Sequence, residues 1–175
     1  MIFRPTSLQG AYMIEPERTE DNRGYFARTF CEKEFGSRGL ETHVAQCSVS
    51  FNRRKGTLRG MHYQVTPFEE VKLVRCVRGA IYDVIIDLRR DSSTFKKHLS
   101  VELDERNGKA LYVPAGFAHG FQTLADDSEV FYQMSQFYSA KHARGVRWND
   151  PAFAIPWPQD MRTILERDQN YPDFE

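Results

Sequence analysis

The sequence predicts an all-β domain, a sandwich or barrel of many short strands with little helix. Side chains alternate with a period of two along much of the chain, as over residues 25–30. Turn-forming pairs such as Arg78-Gly79 and Asn107-Gly108 separate these segments at short, even intervals. Aromatic residues make up 13% of the chain, which favours strands. Many short strands at regular spacing are typical of a sandwich or a closed barrel.

The individual elements follow from these patterns in chain order. Helical turns are predicted only over 31–38 and over 159–167, and the second of these stretches has no internal Gly or Pro. The proline-rich stretch 149–158 is predicted to be extended. No linker or repeat divides the chain, so residues 1–175 are predicted to form a single domain. The predicted strands cover 43–51, 57–64, 69–77, 80–89, 97–103, 109–113, 117–124 and 128–138.

Composition disfavours several classes of protein. Basic and acidic residues number 24 each, so the basic excess of a dedicated nucleic-acid binder is missing. No secretory signal follows Met1, and no apolar run approaches the ~20 residues of a membrane-spanning helix. Cys31, Cys47 and Cys76 are irregularly spaced and form no CxxC pair. We therefore expect a cytoplasmic protein that binds neither nucleic acid nor membrane.

Polar residues interrupt three successive predicted strands. Gly60, His62 and Gln64 share one face of their strand, an unusual composition for a core. Lys72 stands in an apolar run, and Asp83 lies within another. A charge in such a setting must be paired or face a cavity, because burying it bare is costly. The three strands together predict a polar site inside the barrel.

A Pro-x-Gly turn precedes His119 in the segment 113–121, which resembles the second motif of the cupins. The resemblance implies a jelly-roll β-barrel with short peripheral helices, with the histidine pointing inward. Metal-binding cupins carry His-x-His in their first motif, whereas this chain has Gln64 in place of the second histidine. His62, His119 and one of Glu69 or Glu70 are too few for an iron, manganese or nickel site. No metal is predicted.

Five segments, in register over nearly the whole chain, carry a more specific resemblance. Together they resemble the dTDP-4-dehydrorhamnose 3,5-epimerase family, which implies an isomerase acting on a nucleotide-diphospho-4-keto-6-deoxy-sugar without a cofactor. The family default is conversion of dTDP-4-dehydro-6-deoxyglucose to dTDP-4-dehydrorhamnose. The matching segments are Asp21-Asn22-Arg23-Gly24-Tyr25-Phe26, Leu58-Arg59-Gly60-Met61-His62-Tyr63-Gln64, 113–121, Glu129-Val130-Phe131-Tyr132 and Arg147-Trp148-Asn149-Asp150-Pro151.

The resemblance also implies catalytic roles for matching residues. His62 matches the base and Asp168 the carboxylate that orients it. Lys72, with Asp83 beside it, matches the group near the keto oxygen, and Tyr132 matches the acid. This set suits the chemistry, because removal of a proton beside a ketone needs a base, and the enolate oxygen needs a positive donor. Inversion further needs an acid on the opposite face of the sugar.

Substrate contacts and assembly follow from the same resemblance. Phosphate and sugar contacts fall on Arg23, Arg59 and His119, with Gln46 and Tyr138 further out. The family forms homodimers that exchange N-terminal strands. Arg23 and Phe26 are therefore candidates to complete the neighbouring subunit's site, and Arg28 is a further candidate for substrate binding.

Three departures from the family pattern leave alternatives open. Arg28 replaces a usual glutamate, Gln46-Cys47-Ser48 replaces Gln-Asp-Asn, and Ala143 replaces another glutamate. The first two fall near the nucleotide, so a CDP- or GDP-linked hexose or heptose is an alternative substrate. The same catalytic residues also permit a C3-only or C5-only epimerase. A non-catalytic sugar-nucleotide-binding cupin and a metal-dependent oxygenase remain as alternatives of other classes.

Overall fold

In a computed structural model, which describes residues 1–160 and 163–175, thirteen strands and two short helices make up the regular structure. The strands in chain order are β1 (Ile2–Pro5), β2 (Tyr12–Glu15), β3 (Arg18–Asp21), β4 (Gly24–Ala27), β5 (Gln46–Asn52), β6 (Leu58–Gln64), β7 (Lys72–Arg78), β8 (Ala80–Asp87), β9 (His98–Asp104), β10 (Ala110–Val113), β11 (Phe117–Thr123), β12 (Ser128–Met134) and β13 (Ala143–Gly145). The helices are α1 (Glu32–Gly36) and α2 (Glu166–Gln169).

The strands form two antiparallel sheets that enclose the core. The first has the order β1-β2-β10-β7-β12-β5 and the second β13-β6-β11-β8-β9. Strands that follow one another in sequence therefore often lie in different sheets, as β6, β7 and β8 do. The all-β jelly-roll prediction is confirmed. The two sheets place residues from alternate strands on opposite sides of one interior.

The apolar core fills one part of the space between the sheets. Ile85 and Phe121 of the second sheet belong to the same buried cluster as Val74, Leu111 and Val130 of the first. Each is at most 1% exposed. Burial of one such side chain is worth about 1.5–3 kcal/mol. This cluster fixes the spacing of the sheets and leaves their polar ends free to form a cavity.

The eight strands predicted from residue 43 onwards all occur, most of them shorter by a few residues at one end. The helix predicted over 31–38 is α1. The helix predicted over 159–167 is largely wrong, because α2 begins only at Glu166 and Thr163 instead pairs with Thr57 as a bridge. Residues 161 and 162 lie outside the described part of the chain. The described helices, five and four residues long, have neither the length nor the apolar character to cross a membrane.

A pair of glycines allows β6 and β11 to approach closely. A Cβ built on Gly60 would lie 2.6 Å from the Gly120 Cα, and Gly60 has a φ of +141° that favours glycine. A Cβ on Gly120 would lie 2.6 Å from the Met61 sulfur. The β6–β11 register shifts at this point, beyond the pair formed by His62 and His119. The contact therefore brings two histidines side by side.

Strands β3 and β4 form a separate hairpin outside both sheets. Seven of its eight strand residues are exposed, and the outer aromatic side chains Tyr25 and Phe26 are 54% and 74% exposed. An isolated two-stranded hairpin is marginally stable in water. This hairpin is therefore the part of the fold that packing within its own chain stabilises least.

The end of β8 is secured by a buried carboxylate. Both Asp87 oxygens accept hydrogen bonds from the Arg89 guanidinium at 2.9 and 2.7 Å, and Oδ2 also accepts from the Ser92 and Thr94 hydroxyls at 2.5 and 2.6 Å. Burial opposes ionisation of Asp87, but these donors outweigh it and lower its pKa to about 2. The network fixes the turn that leads into β9.

We expect Asp87→Asn to lower the free energy of unfolding by about 2 kcal/mol at pH 7, since a depressed pKa stabilises the folded state. Because the folded pKa lies below the unfolded one, this stabilisation is complete above about pH 4 and disappears as the pH falls towards 2. Urea denaturation at pH 7 and at pH 2.5 measures the difference. Asp91→Asn, on the neighbouring exposed turn, is the control. An equal loss for Asp87→Asn at both pH values would contradict the expectation.

Candidate active site

A cavity of about 530 Å³ opens between the two sheets. Strands β5, β7 and β12 of the first sheet and β6, β11 and β13 of the second contribute to its walls, and α2 borders it. Its lining combines ionisable, amide and aromatic side chains with few aliphatic ones. The lining residues that matter for chemistry are Gln46, Arg59, His62, Glu70, Lys72, His119, Tyr132, Tyr138, Arg144, Arg167, Asp168 and Tyr171.

On the second sheet, His62 forms an imidazole–carboxylate pair with Asp168. The His62 Nε2 lies 2.8 Å from Asp168 Oδ1, and the carboxylate is 1% exposed while the imidazole is 33% exposed. A bond from Nε2–H to the carboxylate leaves Nδ1 as the nitrogen that can accept a proton. The pair therefore has the form of an oriented general base.

Asp168 reaches this position from α2, outside the sheets. The Gly60 backbone N–H donates to its Oδ2 at 3.3 Å, and Arg167 Nε donates to Oδ1 at 3.2 Å. Burial raises the pKa of Asp168, but the hydrogen bond and the charge of His62, together with these donors, lower it overall. The carboxylate is therefore ionised at neutral pH and can stabilise an imidazolium.

The segment after α2 is held against the second sheet. A Cβ on Gly145 of β13 would overlap the Tyr171 ring, so only glycine leaves room for that ring at the cavity edge. The Phe174 backbone N–H donates to Asp150 Oδ2 at 2.6 Å, and the Phe174 ring packs on Phe153. These contacts at Tyr171 and Phe174 hold the chain that directly follows α2, the helix that carries the carboxylate of the pair.

Tyr132 faces the same cavity from the first sheet. It lies in the middle of β12, paired with Val74 of β7 and Ser48 of β5. Burial raises the pKa of its phenol well above the ordinary value, and the negative charge of Asp83 raises it further. The phenol therefore stays protonated at neutral pH. A proton acceptor and a proton donor thus face one cavity from opposite sheets.

Lys72 also lines the cavity from the first sheet, but its partner differs from the prediction. Its Nζ lies 3.0 Å from Glu70 Oε1, and the two side chains are 11% and 9% exposed. The sequence prediction placed Asp83 beside Lys72. The structure instead pairs Asp83 with His119, because β7 and β8 belong to different sheets although they are consecutive in the chain.

Asp83 does not line the cavity but lies directly behind it. The carboxylate is fully buried, and its Oδ1 is 2.7 Å from His119 Nε2. Its Oδ2 has no hydrogen-bond partner among the described residues. The His119 ring meets the Tyr132 ring edge-on, with centroids 6.1 Å apart. Among the described residues, Asp83 therefore reaches the site through His119 and by the effect of its charge on Tyr132.

The remaining predicted substrate-binding residues divide into two groups. Arg59, Gln46 and Tyr138 line the cavity, and Gln46 Oε1 accepts the Tyr138 backbone N–H at 3.0 Å. Arg23 and Phe26 lie on the exposed β3–β4 hairpin and do not line the cavity of their own chain. Arg28, just after the hairpin, pairs with Glu34 at 3.3 Å and borders a smaller cleft.

Glu70, Arg144, Arg167 and Tyr171 are among the residues of the cavity wall to which sequence reasoning gave no catalytic or substrate-binding role. Glu70 lies two positions before Lys72, a spacing that places both on one face of an extended chain and could have revealed it. Arg167 directly precedes Asp168, and this position beside a predicted site residue is the signal that could have revealed it. Arg144 and Tyr171 carry no local signal, because only the folding of β13 and the final segment onto β6 brings them to the site.

The described residues do not fit a cupin metal site. Two histidines, His62 and His119, line the cavity among the described residues, fewer than the three that metal-binding cupins use. Across residues 1–160 and 163–175, no three His, Cys, Asp or Glu side chains are grouped to hold a metal ion.

Comparison with known proteins identifies the family of this chain. The model of the dTDP-4-dehydrorhamnose 3,5-epimerase family matches residues 5–175. The protein of that name from Sinorhizobium fredii is 43% identical over 175 residues, which cover 99% of this chain and 90% of the relative.

Two solved structures extend the similarity to three dimensions. The dTDP-4-dehydrorhamnose 3,5-epimerase from Bacillus anthracis, with TDP and PPi bound, has a TM-score of 0.95 at 39% identity and 99% coverage of each chain. ChmJ from Streptomyces bikiniensis, a 3'-monoepimerase, has a TM-score of 0.90 at 34% identity over 97% of this chain and 85% of its own. That ChmJ structure, with dTDP, is a double mutant with a histidine changed to asparagine and a tyrosine changed to phenylalanine. By fold and by sequence, this chain belongs to the dTDP-4-dehydrorhamnose 3,5-epimerase family.

Proposed function

We propose that this enzyme inverts C3 and C5 of dTDP-4-dehydro-6-deoxyglucose to give dTDP-4-dehydrorhamnose. The observation that carries the proposal is the arrangement of His62, backed by Asp168, and Tyr132 on opposite sheets of one cavity. A flat enolate between the sheets would present one face to the imidazole and the other to the phenol. That geometry is what inversion requires.

In the first half of each inversion, His62 removes the C–H proton beside the ketone. The electron pair of that bond moves into the ring as an enolate, and the negative charge develops on the C4 oxygen. Lys72 would donate to this oxygen, a contribution worth about 2.7–4 kcal/mol for single donors of this kind. Asp168 stabilises the imidazolium that forms, because its carboxylate remains ionised.

In the second half, Tyr132 returns a proton to the opposite face. Its O–H bond breaks as the new C–H bond forms, which restores the ketone with inverted configuration and leaves a phenolate. The enzyme then holds one proton too many on His62 and one too few on Tyr132. Exchange with solvent resets both groups, because the His62 imidazole is 33% exposed and the Tyr132 phenolate lines the cavity that water enters when the product leaves.

The charge of the cavity supports a diphosphate ligand. Arg59, Arg144 and Arg167 line it together with Lys72, against the carboxylates Glu70 and Asp168. Arg59 is held at 2.8 Å by the Asn52 side-chain oxygen, which orients its guanidinium at the wall. Arginine binds phosphate oxygens in pairs and is suited to this task. Thymine is proposed as the base because related structures contain TDP or dTDP.

The test is proton exchange in D₂O, observed by NMR on purified wild-type enzyme with dTDP-4-dehydro-6-deoxyglucose. We expect deuterium at both C3 and C5, and the rhamnose configuration in the product. The CDP- and GDP-linked sugars serve as comparison substrates. Absence of exchange with every 4-keto sugar nucleotide would reject catalysis in favour of a sugar-nucleotide-binding protein.

The same spectrum distinguishes a single from a double epimerase. ChmJ, which shares the fold at 34% identity, is a 3'-monoepimerase, so the family includes enzymes that act on one carbon. Deuterium at C3 alone, with C5 unlabelled, would identify this chain as an enzyme of that kind. Deuterium at C5 alone would identify an epimerase that acts only on C5.

We further propose a homodimer in which the β3–β4 hairpin of each chain completes the site of the other. The support is its exposure, with Phe26 74% and the Arg23 side chain 85% accessible. Light scattering should give a mass twice the 20.4 kDa of the chain. A monomer that is fully active would reject this assembly.

We also propose that the enzyme works in the cytoplasm. The cysteines Cys31, Cys47 and Cys76 are free thiols, a state that a reducing compartment maintains. Localisation of a fluorescent fusion protein tests this. Fluorescence in the periplasm or in the medium would contradict it.

A further inference from the structure

Glu70 is the charged residue of the cavity wall to which the proposed chemistry gives no role. Its Oε1 lies 3.0 Å from the Lys72 Nζ, and its Oε2 lies 3.4 Å from the Gln64 side-chain nitrogen. With exposures of 9% and 11%, the Glu70 and Lys72 side chains are largely removed from solvent. Ion pairs on open surfaces contribute little to stability. A pair as enclosed as this one constrains the positions of both side chains.

The backbone between the two residues is fixed. The Val71 N–H donates to the Ser135 hydroxyl at 2.8 Å, and the Ser135 N–H donates to the Val71 carbonyl at 3.0 Å. These bonds anchor the chain immediately before β7 to the segment after β12. Residues two apart on an extended chain point to the same side. Glu70 and Lys72 are therefore presented to the cavity together.

The surrounding charges make Glu70 the natural counterion of Lys72. Three arginines share the cavity wall with the lysine and repel its ammonium group. Among the described residues that line the cavity, the carboxylates are Glu70 and Asp168, and Asp168 is bonded to His62. Removal of Glu70 would leave a largely buried cation among other cations, which is unfavourable.

We propose that Glu70 is the positioning residue for Lys72. An ammonium group has three N–H donors, so the bond to Glu70 leaves two for the developing enolate oxygen. A flexible lysine held in place before the reaction needs no reorganisation as charge develops, which is the basis of electrostatic preorganisation. This role rests on the proposed function, in which Lys72 stabilises the enolate.

The test compares Glu70→Gln with Glu69→Gln. The control makes the same change of charge one residue away, at an exposed carboxylate bonded to the Thr66 hydroxyl at 2.6 Å. We expect Glu70→Gln to lower kcat about tenfold or more with little change in KM, since displacement of a catalytic group by ~1 Å can cost ~100-fold. Glu69→Gln should match wild type. Equal kcat for all three proteins, or a higher kcat for Glu70→Gln, would overturn the proposal.

A double-mutant cycle with Lys72→Met separates positioning from a general structural effect. If Glu70 acts through Lys72, adding Glu70→Gln to Lys72→Met should lower kcat no further, whereas independent effects would multiply. Multiplied losses would overturn the proposal. Glu70→Asp, which keeps the carboxylate, should recover part of the loss, and no recovery would also count against it. Failure of the proposed function is a distinct result, because wild type itself would then exchange no deuterium.

Discussion

His62→Ala is expected to lower kcat roughly 1,000- to 10,000-fold, the upper part of the range for loss of a general base. The variant keeps Lys72, Tyr132 and the arginines of the wall, so binding of the substrate should persist. It removes the acceptor nitrogen and leaves the buried Asp168 carboxylate without its imidazole partner. Measurement of kcat and KM by NMR should therefore show a large loss in kcat with a modest change in KM.

The control for this variant is His98→Ala, at the first residue of β9 and away from the cavity. It should retain wild-type kcat. Thermal unfolding with and without dTDP checks that His62→Ala still binds the nucleotide, because a ligand at 100 times its dissociation constant stabilises by about 2.7 kcal/mol. A variant that binds dTDP and turns over at the wild-type rate would exclude His62 as the base.

Tyr132→Phe is expected to slow formation of the inverted product roughly 100-fold or more, because it removes the proton donor and keeps the ring. The aromatic contact with His119 and the packing of β12 remain, so stability should change little. Tyr12→Phe removes a phenol outside the cavity and should have wild-type kcat. An unchanged rate of product formation in Tyr132→Phe would assign the acid to another group.

Much of the fold could be predicted from the sequence because its signals are local. Alternation and turn residues identify β5 to β12 without reference to tertiary structure. The short strand β13 was missed because its three residues are strand only through pairing with β6. The second helix was misplaced because freedom from Gly and Pro permits a helix but does not decide against the competing bridge at Thr163.

The candidate site was less accessible to sequence reasoning, since it depends on which strands share a sheet. Residues of β6, β7 and β8 were expected to converge, and His62 and Lys72 do line one cavity. Asp83 instead bonds His119 across β8 and β11, which are neighbours in the second sheet. The role of Asp168 was predicted from the family resemblance alone, because no local pattern connects it with a histidine more than 100 residues earlier in the chain.

The most direct test of opposite-face proton transfer is the fate of the label in Tyr132→Phe incubated in D₂O. With His62 intact and in exchange with solvent, the enolate should form and recapture deuterium on the face from which the proton left. We expect recovered starting sugar that contains deuterium in its original configuration, with little inverted product. Unlabelled starting sugar, or labelled product formed at the wild-type rate, would contradict the assignment of base and acid to opposite sheets.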